Sequence, residues 1–220
     1  MNEPCLSELV DLSVLRLNRL LPLKSRQDKH SPVLKDLHRA VIESLVTRGQ
    51  PPSRAEVAAR VGDDRVDASL ALLGDDDLVV LSADRREILG AYPVTSESTP
   101  HELHVNGHCI HAMCALDALS VGPMYGVPVA IRSHCRITAA PIHIRQDGEC
   151  LIEANPPTTR VGIRWQAPSG SAAHSLCMEM VFLQDDDAAA RWHGGDLQNH
   201  SLYTLEQAVA FGARYFRPLL

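Results

Sequence analysis

The chain has 220 residues, 45% hydrophobic and 22% charged, with a formal net charge of −6. This is an ordinary globular composition, long enough for one large domain or two small ones around a real core. The negative balance speaks against a polyanion partner, because phosphate binding needs clustered Lys and Arg. No stretch approaches the ~18 uncharged apolar residues of a membrane span. Glu3, Glu8 and Asp11 stand where a signal peptide would be basic. The expected compartment is the cytoplasm, with neither nucleic acid nor membrane as partner.

In chain order, the first third reads helical. Val33, Leu37, Val41 and Leu45 fall on one face of a helix over 33–47. Gly49, Pro51 and Pro52 break it, and Ser53 with Glu56 forms a capping-box pattern that starts another helix, ending near Gly62. A third helix is predicted over 64–73, stopping at Gly74, followed by a hairpin in DLVVLSADRREILGAYPV. Helix, turn, helix, helix, hairpin is the winged-helix order. Yet the third helix and its flanks, DDRVDASLALLGDDD, set six aspartates against one arginine. A recognition helix facing phosphates needs the reverse. Residues 1–92 are therefore read as a winged-helix-like packing or dimerisation domain, in a monomer or homodimer.

PVTSESTP, residues 93–100, reads as a linker. Beyond it, 101–220 reads as an α+β domain: a mostly antiparallel β-sheet with flanking helices. HELHVNGHCIHAM suggests strand, Asn-Gly turn, strand. MCALDALS suggests a short helix stopped by GPMYG. VPVAIRSHC, APIHIRQDG and ECLIEAN alternate as strands, and SLCMEMVFLQ reads as another. That alternation puts Cys177 on a face with Glu179 and Val181, opposite Leu176, Met178, Met180 and Phe182. Helices are expected from 185 to 192 and across TLEQAVAFGARYFRPL.

The six cysteines, Cys5, Cys109, Cys114, Cys135, Cys150 and Cys177, include no CxxC pair. In a reducing compartment they are expected to be thiols. Cys114 and Asp117 stand at i and i+3, neighbours on a helix at ~5–6 Å between Cβ atoms. A first-turn cysteine there gains thiolate stability from the helix dipole, and the carboxylate can carry a proton to or from the thiol. From spacing alone the favoured reading is a core helix with two polar groups, since CxxD is common by chance. Histidines crowd the region: His101, His104, His108, His111, His134 and His143. His108 and His111 point to opposite faces of a strand and cannot share a metal. A zinc site would have to combine Cys109 or Cys135 with more distant histidines.

The order CALD, then SHC, then SLC before an apolar strand resembles the alkylmercury (organomercurial) lyase family. RGQPPSRAEVAARVG resembles that family's N-terminal domain, TPHELHVNGHCIHAMCALDAL the approach to its catalytic helix, and GVPVAIRSHCRITAAPIHI the sheet that follows. The resemblance implies that Cys114 and Cys177 are the two catalytic cysteines, Asp117 the catalytic aspartate, and Cys135 a structural cysteine. It implies protonolysis of a carbon–mercury bond to a hydrocarbon and Hg(II), with mercury held by Cys114, Cys177 and Asp117. No cofactor is implied. External thiols would assist product release, and mercuric reductase would receive the ion.

An apolar lining from Met113, Leu116 and Met178 would receive the organic group. The chain departs from the family at Met113, Met178, Glu179 and Met180, all in this pocket. Those departures motivate a second reading, a paralogue acting on another small-molecule electrophile. The histidines motivate a third, a thiol metal-binding protein without turnover.

Overall fold

The computed structural model describes residues 6–220, so Cys5 lies outside the described residues. Apolar periodicity and capping set the N-terminal helices: α1 (Leu6–Leu20), α2 (Leu23–Asp28), α3 (Pro32–Arg48), α4 (Arg54–Val61) and α5 (Val66–Asp75). Helix α3 opens with Ser31 accepting from the Leu34 N–H and ends at Gly49, whose φ of 74° suits glycine. It buries Leu37, Val41 and Leu45 as expected, but Val33 is 48% exposed. Val33 sits in the first turn, directly after the Ser31 cap and Pro32. The capping box of Ser53 and Glu56 is present at α4. Helix α5 runs through Gly74 to Asp75.

Next come the strands β1 (Val80–Leu81), β2 (Ile88–Ala91), β3 (Val94–Thr95), β4 (His101–Val105) and β5 (His108–Ala112), and the helix α6 (Ala115–Tyr125). After it run β6 (Pro128–His134), β7 (Pro141–Asp147), β8 (Cys150–Asn155), β9 (Arg160–Arg164) and β10 (Met180–Leu183). Helix α7 (Asp186–His193), strand β11 (His200–Thr204) and helix α8 (Leu205–Phe216) complete the chain. The fold is α+β. An antiparallel eight-stranded sheet has the order β1-β2-β3-β5-β4-β6-β7-β8, and a second sheet has the order β10-β9-β11.

Three features differ from the sequence reading. Strand β3 lies inside 93–100 and pairs with both β2 and β5, so the hairpin after α5 is continuous with the large sheet. GPMYG stops α6 only at its final residue: Gly122 to Tyr125 form the last turn, and Gly126 ends the helix in the left-handed region. Pro123 is tolerated in this last turn, and its carbonyl accepts from Arg217 Nε at 2.9 Å. Strands β9 and β11 had no alternating signal; Val161, Gly162 and Ile163 are all buried, so their run carries no period of two.

Helix α6 is buried almost throughout, from Ala115 to Met124, with α8 on one side and the large sheet on the other. Gly212 of α8 meets Ser120 of α6 so closely that a Cβ there would collide with the Ser120 hydroxyl, which already donates to the Leu116 carbonyl at 2.6 Å. Gly212→Ala is expected to cost about 1–3 kcal/mol by overpacking. Urea unfolding should show a lower midpoint at unchanged slope.

Candidate active site

Strand β5 delivers the chain to Cys114, the N-cap of α6. Its extended backbone (φ −155°, ψ 177°) lets the sulfur accept from the Asp117 N–H at 3.4 Å. A thiol thus takes the place of the usual capping oxygen. Asp117, one turn in, is held on the same side of the helix.

Cys177 comes from a different place than its alternation suggests. Residues Cys177–Glu179 form a 3-10 turn, and strand β10 begins only at Met180. The Met178 N–H donates to the Ser175 carbonyl and the Glu179 N–H to Leu176. In such a turn residues three apart share a side. Cys177 and Met180 therefore both point inward, while Met178 is 45% exposed and Glu179 turns to Arg164 at 3.6 Å.

The turn brings the three expected residues together. The Cys177 thiol donates to Asp117 Oδ2 at 3.8 Å. The ligand atoms of Cys114, Asp117 and Cys177 all lie within 4.8 Å of one another, and all three residues are buried. Met180 Sδ lies 3.6 Å from Cys114 Sγ. The five described cysteines are free thiols.

Burial governs the electrostatics. Desolvation raises the Asp117 carboxyl to about 7, against a weaker lowering by the two thiols. Desolvation likewise pushes the Cys114 thiol well above its ordinary value, and the Asp117 charge adds to this. For Cys177 the contact with Cys114 lowers the thiol, but burial and the Asp117 charge together outweigh it. The trio at rest is two thiols around a carboxyl that gains or loses its proton near neutrality.

A cavity of about 230 Å³ reaches this trio at Cys177. Met113, Cys177, Met180 and Phe182 form its floor side, with His101, His134, Arg136 and His174 among its other walls. Cys177 faces the cavity, whereas Cys114 and Asp117 lie behind it and do not line it. Leu116, expected in the lining, is instead a core residue with no exposure. A larger open groove of about 930 Å³ between α4 and β2 contains no thiol.

None of the histidines joins the trio. His101 is buried, bonds Ser133 at 2.9 Å, and stays neutral because burial pushes it down to about 3. His111 meets Thr99, and His104 meets Glu102. Cys135 is buried outside the trio. Burial raises its thiol, but hydrogen bonds around Thr138 outweigh this and lower it.

The sequence reading missed Asp77. This aspartate follows α5 with a φ of 54°, a region that Asp tolerates better than most residues. Its carboxylate accepts from Ser171 Oγ at 2.8 Å, the Ala172 N–H at 2.9 Å and Tyr92 Oη at 3.2 Å. It thereby ties the N-terminal helices to the 171–177 segment that carries Ala173, His174 and Cys177 into the cavity. Only the run of three aspartates at the end of α5 hinted at it. Asp77→Ala leaves those donors without a partner, and is expected to cost about 1–3 kcal/mol of stability. Urea melts would show the loss, and the substitution should also displace Cys177 from the cavity.

The alkylmercury lyase (MerB) family model matches residues 94–217, more than half of the chain and all of the trio. The chain belongs to the alkylmercury lyase family. Its curated relatives include the alkylmercury lyase of Streptomyces lividans, 26% identical over 177 residues, covering 80% of this chain and 78% of that one. That of Staphylococcus epidermidis is 26% identical over 178 residues, covering 78% and 79%. That of Bacillus cereus is 32% identical over 94 residues, 43% of each chain. The crystal structure of the mercury-bound form of MerB2 shares the fold, with a TM-score of 0.76 at 22% identity, covering 90% of this chain and 98% of that one. Within this alkylmercury lyase family fold, the cavity of the present chain is lined with thioethers from Met113, Met178 and Met180.

Proposed function

We propose that this chain is an organomercurial lyase that cleaves carbon–mercury bonds by protonolysis, with Cys114 and Cys177 as mercury ligands and Asp117 as proton carrier. The observation that carries the reading is the trio itself: two buried thiols and one buried carboxyl, with all ligand atoms within 4.8 Å. Mercury is soft, and thiolates are the soft ligands a protein offers.

The incoming R–Hg⁺, carried as a thiol complex, exchanges onto Cys177, the thiol that faces the cavity. The exchanged thiol leaves with a proton. Cys114 then adds its sulfur to mercury, and its proton passes to the Asp117 carboxylate. A second thiolate on mercury pushes electron density onto the carbon. Asp117 gives the proton to that carbon, the carbon–mercury bond breaks heterolytically, and RH leaves. Hg(II) stays on the two sulfurs. Protons balance: the one lost by Cys114 is the one gained by carbon. A carboxyl titrating near 7 suits both the taking and the giving.

Met113, Met180 and Phe182 offer the organic group an apolar surface, and 230 Å³ suits a small alkyl or aryl group. No cofactor enters this sequence. External thiols would strip the product, a mercuric reductase would receive it, and the cytoplasm, where thiols stay reduced, is the fitting compartment. No helix is long and apolar enough to cross a membrane among the described residues. Aspartates in the first and last turns of α5 pair within the chain, Asp67 with Arg54 and Asp75 with Arg85, which supports packing rather than nucleic-acid binding.

The test is turnover. Purified protein, phenylmercuric acetate and excess thiol should release many equivalents of benzene, measured by headspace gas chromatography. Mercury binding without benzene would reject the lyase and favour the paralogue or the thiol metal-binding reading.

A further inference from the structure

The hairpin of β4 and β5 turns at Asn106 and Gly107, both with positive φ. Its register sets His104 directly opposite Cys109, with Glu102 two residues back on the same face. Leu103, Val105 and Ile110 take the buried face, so this trio stands on the outer face of the sheet. One imidazole nitrogen, one thiol sulfur and one carboxylate oxygen all lie within 4.8 Å of one another. Glu102 Oε1 is already 2.6 Å from His104 Nε2. The strand pairing that makes this arrangement is backbone, so it does not depend on flexible loops.

We propose that Glu102, His104 and Cys109 form a second metal site, for a borderline divalent cation of the zinc type. The donor set decides the class. One thiolate, one imidazole and one carboxylate suit zinc, with a water as fourth ligand of the tetrahedron. Mercury prefers paired thiolates, which this site lacks and the buried trio has. The two sites therefore sort different ions, and the outer one does not need the lyase reaction.

Arg132 lies opposite Glu102 on β6 and bonds Oε1 at 3.3 Å. It neutralises the carboxylate when no metal is bound. Its side chain is 62% exposed and can turn to solvent when a cation arrives. Cys109 must shed its proton on binding, so affinity rises with pH. Bound metal would pin β4 to β5 at the second pair from the turn, and so resist opening of the hairpin.

Titration of the full chain with Co(II) reads the site directly. A thiolate-to-cobalt charge-transfer band should grow to one equivalent, fall on adding Zn(II), and be lost in Cys109→Ser and weakened in His104→Ala. Zn(II) should raise the Tm of the wild type and leave that of Cys109→Ser unmoved, while Cys109→Ser keeps full benzene turnover. Because cobalt can also reach the buried thiols, the same titration on Cys114→Ser/Cys177→Ser should retain the band. If that double variant does not fold, the difference between wild type and Cys109→Ser decides alone. Identical cobalt spectra and zinc shifts in those two proteins, or no band at all, would overturn the site and leave an ordinary surface ion pair. Failure of benzene turnover would not touch it.

Discussion

Asp117→Asn should abolish hydrocarbon release while leaving mercury capture intact. The amide cannot carry a proton between sulfur and carbon, so turnover is expected to fall by about 10²–10⁴, the range that positioned acid–base groups supply. The same variant should be more stable than the wild type above neutrality. The sign follows from burial. The carboxyl titrates at 3.8 unfolded and at about 7 folded. Between those values the folded chain keeps a proton that the unfolded chain has released. This group's contribution to stability is therefore complete below pH ~4 and is lost as pH rises through about 7, by at most about 4 kcal/mol. Thermal melts from pH 4 to pH 8 should show the decline in the wild type and its absence in the variant. Equal pH slopes in the two proteins would remove the buried carboxyl from the account.

The two cysteines should not be equivalent. Cys177→Ser removes the thiol that lines the cavity, and capture of phenylmercury should slow sharply, with turnover falling to background. Cys114→Ser also loses turnover, but Cys177 should still take up one equivalent of phenylmercury and hold it as a one-thiolate adduct. Stopped-flow uptake and mercury retention after desalting separate the cases. Equal uptake by the two variants would show that the cavity geometry does not set the order of attack.

Much of the fold was readable because its signals are local. The capping box at Ser53, the Asn106-Gly107 turn and the alternation of β6 and β7 each follow from a few neighbouring residues, and each is present. Strand β9 was not readable, because residues 161–163 are covered on both faces and lose the period of two, and β11, HSLYT, has no apolar–polar alternation to read. The alternation of LCMEMV predicts a strand at Cys177, but three bonds of a 3-10 turn hold it instead. That turn is what aims Cys177 and Met180 inward.

The candidate site itself was legible only through resemblance. Cys114 and Asp117 are three residues apart, but Cys177 lies 60 positions from Asp117 and no local rule joins them. The Asp77 tie is further still from legibility: it links positions 94 and 95 residues apart through one carboxylate. The Met113, Met178 and Met180 departures are visible in sequence, but their common placement on one cavity is not.

One measurement bears most directly on the trio. Wild type and Asp117→Asn would each receive one equivalent of phenylmercuric acetate, and native mass spectrometry would weigh the protein. The wild type should carry mercury alone, its phenyl group gone as benzene, and the variant should carry intact phenylmercury. If the variant also carries mercury alone, the proton reaches carbon without Asp117, and the proposed mechanism is wrong.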